Sequence, residues 1–171
     1  MENKSNGSVL TFGPYRLRVD VERTRAWYRA QTPAWCTCAG CRNMERAFRV
    51  LPPEVASLFG TLGINPMNPG ETAHYTGKRL SPEHSEVFSS AWYHLCGELL
   101  DGGDCLPTVT PDGVISGTVD GYGEEWPLCE GWSVTFKKDC DLLSESFPRP
   151  CFQMELWCTL PWLLDEPNIY M

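Results

Sequence analysis

Phe152, Met154, Leu156, Cys158 and Leu160 place an apolar side chain at every second position of a nine-residue run. A period of two marks a half-buried strand, because successive side chains of an extended chain point to opposite faces. Such a strand must pair with neighbours, and its apolar face must rest on another layer. Trp132, Val134 and Phe136 repeat the pattern, and Trp157 alternates away from the apolar face, under a helix or on an exposed patch fit for a protein partner. Val9 to Phe12 and Tyr15 to Val19, split by Gly13-Pro14, read as two short strands, and Thr72 to Thr76 as another.

Helical signals lie between these runs. Asp20 is a good cap for a helix through Ala30, closed by Thr32-Pro33. Met44, Ala47, Phe48 and Leu51 fall on one stripe of a helix from about Arg42 to Leu51. Pro52-Pro53 then seeds a third helix, with Val55, Leu58, Phe59 and Leu62 on one stripe and Gly63 as its C-terminal stop. Ser81-Pro82-Glu83 has the form of a fourth helix start. Val87, Phe88, Ala91, Trp92, Leu95, Cys96, Leu99 and Leu100 keep helical spacing after it, up to Gly102-Gly103. Val114-Ile115 and Val119 hint at short strands. The fold class expected is α+β: a small, mostly antiparallel sheet with a helical hairpin and one longer helix packed on it. Residues 8–171 form a single domain, and residues 1–7 a flexible polar N-terminus.

The chain of 171 residues is long enough to build a core without staples, and its 42% hydrophobic content is ordinary. Nine cysteines are too few for a disulfide scaffold, so most are expected to be reduced, packed thiols. The start, Met1 to Gly7, has no basic-then-apolar leader, and no run is long enough to span a membrane; the expected address is the cytoplasm. A net charge of −8 disfavours nucleic acid and anionic membranes as partners. Residues 1–50 carry nine Lys and Arg against four acids, and the remainder five against eighteen. Mutual neutralisation across the fold accounts for this, and an Arg-rich face meeting an acidic partner is the alternative.

Cys36-Thr37-Cys38-Ala39-Gly40-Cys41 carries the pointed chemistry. Cys38 and Cys41 have the C-x2-C spacing that lets two thiolates hold one zinc ion, with Gly40 easing the turn, and Cys36 supplies a third ligand. Zinc needs a fourth donor in a structural site, and none is local. The candidates are Cys96, Cys105, Cys129, Cys140, His74, His84 and His94. The chain therefore reads as a binding or structural module rather than an enzyme. A thiol-dependent redox enzyme using Cys38 and Cys41 is the alternative, since Cys41 opens a helix whose free amides favour a thiolate. Three packed thiols in a tight turn are the third reading.

Weaker candidates surround the cluster. His94 falls on the rim of the long helical stripe, where one hydrogen bond is its expected role and ligand or general base the alternative. Asp101-Gly102-Gly103-Asp104 and Asp139-Cys140-Asp141 resemble pieces of a calcium loop but lack its full pattern. Glu124 and Glu125 beside Trp126 are paired acids at an unset separation.

Taken in order, Cys41-Arg42-Asn43, Leu51-Pro52-Pro53-Glu54-Val55, Leu62-Gly63-Ile64-Asn65-Pro66, Trp92-Tyr93-His94-Leu95-Cys96-Gly97 and the segment Leu160-Pro161-Trp162-Leu163-Leu164-Asp165-Glu166-Pro167 resemble a family of small uncharacterised bacterial proteins. The resemblance spans nearly the whole chain. It implies a bacterial, cytoplasmic, stand-alone domain and no catalytic residue.

Overall fold

A computed structural model describes residues 7–102, 108–109, 115–116 and 123–171. Of the N-terminal segment expected to be flexible, residues 1–6 lie outside the described residues, as do Cys105, Val114 and Val119. The elements are β1 (Ser8–Phe12), β2 (Tyr15–Val19), α1 (Val21–Ala30), α2 (Ala39–Phe48), α3 (Pro53–Leu62), β3 (Glu71–Arg79), β4 (Ser85–Asp101), β5 (Thr108–Val109), β6 (Ile115–Ser116), β7 (Trp126–Cys129), β8 (Trp132–Lys137) and β9 (Cys151–Pro161). A seven-stranded antiparallel sheet runs β1-β2-β4-β9-β8-β7, with β3 also paired to β4, and β5 pairs with β6 separately. The fold is α+β, as the alternating runs require.

Local signals set most of these elements. The Asp20 carboxylate accepts the Arg23 amide and caps α1. Gly63 closes α3 with a left-handed φ of 75°. On β9, the alternating apolar residues face β4 and β8 side chains in register: Leu156 sits opposite Ala91 and Val134, and Met154 opposite Tyr93 and Phe136. This face is buried and forms the core. α1 lies against β4, α2 against β9, and α3 against α1 and β7. Phe59 of α3 meets Tyr93 edge-on at 5.0 Å, a favoured aromatic geometry. α2 and α3 thus follow one another in the chain while making their main contacts with different elements.

One expectation is overturned. The segment read as the longer helix is β4, a 17-residue strand at the centre of the sheet. Its first half pairs with β3 and its second with β2, while β9 runs along its other edge. β4 carries apolar residues on both faces, with Phe88, Trp92 and Cys96 opposite Val87, Ala91 and Leu95, so it loses the alternation that marks a half-exposed strand. Val87, Ala91, Leu95 and Leu99 recur every four residues, a spacing that fits one helix stripe and one strand face equally. The apparent helix cap is a turn between β3 and β4: the Ser81 hydroxyl accepts the amides of Glu83 and His84, and the Leu80 amide donates to the His84 carbonyl. Serine offers the same hydrogen bonds to a turn as to a helix start.

The other sheet face carries a polar row, including His94, Gln153, Glu155 and Lys137, all buried. Beside it, Trp157 stacks on Phe88 at 5.7 Å and Tyr75 at 5.9 Å and donates its indole N–H to Thr135. His94 is therefore no rim residue of a helix: its Nε2 lies 2.9 Å from the Asp141 carbonyl and 3.3 Å from the Gln153 side chain. The basic N-terminal part is tied to the acidic remainder by the Arg18–Glu98 and Arg42–Glu166 ion pairs. Among the described residues, no helix is long and apolar enough to cross a membrane.

Candidate metal centre

The Cys36, Cys38 and Cys41 sulfurs all lie within 4.8 Å of one another. Two local interactions gather them. Cys38 is the N-cap of α2, and its sulfur accepts the Cys41 amide at 3.4 Å. The Cys36 sulfur accepts the Cys38 amide at 3.3 Å. Amides that a helix start leaves unpaired are thus directed at sulfur, which favours the thiolate form a metal requires. Cys36 and Cys38 are exposed, and Cys41 is buried one turn into the helix.

The start of α2 is fixed by chain segments distant in sequence. The buried Asn43 donates its side-chain N–H to the Pro161 carbonyl at 3.0 Å and accepts the Leu163 amide at 2.7 Å. Arg42 pairs with Glu166, and Arg46 donates to the Leu163 carbonyl. The Tyr170 hydroxyl accepts the Gly40 amide at 3.2 Å. The Arg42-Asn43 and Leu160–Pro167 segments, which stand far apart in the chain, therefore meet in the fold. Gly40 makes the approach possible: a Cβ there would fall 2.3 Å from His74 Cδ2 and 2.6 Å from the Tyr170 hydroxyl.

β3 and β4 complete the surroundings. Cys41 Sγ lies 3.1 Å from Thr72 Oγ1 and 3.4 Å from His74 Nε2. His74 Nδ1 is 2.9 Å from Ser89 Oγ on β4. With the Nδ1 proton donated to Ser89, Nε2 presents a lone pair toward the cluster, the usual way a ligand histidine is oriented. Burial holds His74 below its ordinary pKa, so the imidazole is neutral, as a metal ligand must be. Burial also pushes Cys41 up to about 12, only partly offset by the Thr72 hydrogen bond. Partial burial opposes the Cys38 thiolate too, but the Cys41 amide and the neighbouring thiols outweigh it and hold Cys38 below its ordinary value.

Of the distant donors named from sequence, His74 alone is seen against this cluster among the described residues. Cys96 is buried in the core, with its amide bonded to Thr24. His84 bonds Ser81 in the β3–β4 turn, His94 bonds Asp141 and Gln153, Cys140 contacts Cys151, and Cys129 lies on β7. The group lying mutually within 4.8 Å stops at the three sulfurs, and His74 touches it through Cys41. Tetrahedral zinc would set sulfur–sulfur edges of about 3.8 Å and sulfur–nitrogen edges of about 3.5 Å, from its usual bond lengths. The Cys41–His74 separation of 3.4 Å already matches the second of these edges.

Of the weaker candidates, Gly103 and Asp104 lie outside the described residues, and the Asp101 carboxylate accepts the Gly102 amide. The Asp141 carboxylate pairs with Lys137, the Glu125 carboxylate accepts the Ser133 hydroxyl, and the Glu124 carbonyl accepts the Tyr15 hydroxyl. Thr72, Ser89 and Tyr170 were not marked by any motif; only the fold brings them to the cysteines. No protein-family model, curated protein or solved structure matches this chain.

Proposed function

We propose that Cys36, Cys38 and Cys41 bind a zinc ion, with His74 as fourth donor, and that the protein is a small bacterial cytoplasmic binding or structural module. The observation that carries this is the convergence of three sulfurs within 4.8 Å at the start of α2, with a neutral imidazole against the innermost one. Closing that gap with a metal would join α2 to β3, two elements otherwise linked here by side-chain contacts. The role is structural, because the cluster sits where four chain segments meet: the loop before α2, α2 itself, β3 and the C-terminal segment. The bacterial and cytoplasmic address rests on the family resemblance and on a cysteine content below that of a disulfide scaffold. The test is metal analysis of protein purified without chelator. The expected content is about one zinc per chain, falling to background in the Cys38→Ser/Cys41→Ser double variant. Less than half an equivalent in the unaltered protein would refute the proposal.

One arrangement favours a second reading. An exposed Cys38 at a helix N-cap and a buried Cys41 one turn later form the division of labour of a dithiol oxidoreductase, with an accessible attacking thiol and a sheltered resolving one. This reading requires Cys38 to be alkylated much faster than Cys36 in metal-free protein. Equal rates would exclude it.

A further inference from the structure

A second pair of thiols lies at the other end of β4. Cys140, in the β8–β9 connection, points its thiol at Cys151, the first residue of β9, with the sulfurs 3.8 Å apart. Ser89 marks the Cys36–Cys41 cluster on β4, and Cys96 lies opposite Cys151 in the β4–β9 ladder. Seven residues of strand separate Ser89 from Cys96, about 23 Å, so the two thiol groups are separate sites.

Both members are held in place. Cys151 is fixed by the ladder. Cys140 precedes Asp141, whose amide donates to the Gln153 side chain at 2.7 Å and whose carbonyl lies 2.9 Å from His94 Nε2. Each cysteine is partly exposed, and a surface pocket of about 390 Å³ opens beside Cys151, bordered by Lys138, Glu98 and Pro150. The neighbouring Cys96 is fully buried. Bonding would bring the sulfurs from 3.8 Å to about 2.05 Å, a short displacement for two side chains.

We propose that Cys140 and Cys151 form a peroxide-reactive dithiol, with Cys151 as the attacking sulfur and Cys140 as the resolving one. The Cys151 thiolate attacks one oxygen of a hydroperoxide and the O–O bond breaks. The leaving oxygen takes up a proton and departs as water, or as an alcohol from an alkyl peroxide, leaving a sulfenic acid on Cys151. The Cys140 sulfur then attacks that sulfur, its proton leaves with the hydroxyl as water, and the S–S bond forms. Two thiols lose two electrons and the peroxide gains them. The chemistry of the pair agrees with these roles. The hydrogen bond from Cys140 leads in lowering Cys151 to about 7, against a burial cost and with help from Arg149. Cys140 is raised, by that same hydrogen bond and by burial.

The test is one equivalent of hydrogen peroxide on the full-length protein at pH 7.5, followed by alkylation, digestion and mass mapping. The expected product is a Cys140–Cys151 cross-linked peptide pair that a dithiol reductant reverses. In Cys140→Ser, Cys151 should stop at the sulfenic acid, with labelling by a sulfenic-acid-specific nucleophile about tenfold above the unaltered protein. A first disulfide joining Cys151 to Cys96, oxidation confined to Cys36, Cys38 and Cys41, or no oxidation of Cys151 would each overturn the proposal. The mapping on unaltered protein stands whether or not the variant folds, and it reads separately from zinc content.

Discussion

At the scale of single residues, the cluster depends on what is missing at Gly40. The helix start, the His74 ring and the Tyr170 hydroxyl converge on the space a side chain would take. Gly40→Ala is expected to destabilise the fold by about 1–3 kcal/mol, the usual cost of overpacking, and to weaken zinc retention at least tenfold. Urea denaturation and competition with a colorimetric chelator check the two effects; a change within half a kcal/mol and unaltered retention would contradict the packing described. His94 offers a pH test away from the cluster. Burial holds it below its ordinary value of 6.5, against its hydrogen bonds to the Asp141 carbonyl and the Gln153 side-chain oxygen and the Asp141 charge, with Lys137 adding to the depression. The unfolded chain then binds the extra proton first. The stability His94 contributes is complete above about pH 6.5 and is lost as pH falls toward the folded pKa. The stability gap between the unaltered protein and His94→Gln should therefore narrow between pH 7.5 and pH 5.5. A gap that widens would be inconsistent with a neutral, buried imidazole.

At the scale of elements, β4 governs the fold and was the least legible part of it. β1, β2, β8 and β9 each keep one apolar face, and α1 and α3 carry their own caps, so local pattern identifies them. β4 carries large apolar residues on both faces, Phe88, Trp92 and Cys96 opposite Val87, Ala91 and Leu95, and its i, i+4 recurrence imitates a helix. Only the pairing with β3, β2 and β9 decides the matter, and that pairing lies outside the segment. Leu95→Ala, at a fully buried position of β4, should cost about 2–5 kcal/mol. Leu80→Ala, in the exposed turn before β4, should stay within about half a kcal/mol. Equal costs from chemical denaturation would contradict the placement of β4 at the centre.

At the scale of the whole molecule, the chain closes on itself through contacts of long sequence separation. Cys41 reaches His74 33 residues away, and Gly40 reaches Tyr170 130 residues away. The three clustered cysteines were legible because their spacing is local. Among the distant donors, His74 stood level with six others, since nothing near it announces its partner. Thr72, Ser89 and Tyr170 had no signal at all: each is an ordinary strand or tail residue until the sheet forms. The same topology predicts an order of opening. Amides of β4 and β9, shared between neighbours on both sides, should exchange with solvent most slowly, and those of the edge strand β1 faster. Protection strongest in β1 would contradict that order.

The zinc proposal ties the local and the distant parts together, so its coordination sphere is the direct test. X-ray absorption at the zinc edge, on protein loaded with one equivalent, should show about three sulfurs near 2.3 Å and one nitrogen near 2.0–2.1 Å. The nitrogen should give way to an oxygen donor or be lost in His74→Ala. A sphere of nitrogen and oxygen without sulfur, or one unchanged by removal of Cys38 and Cys41, would show that this cluster is not the site.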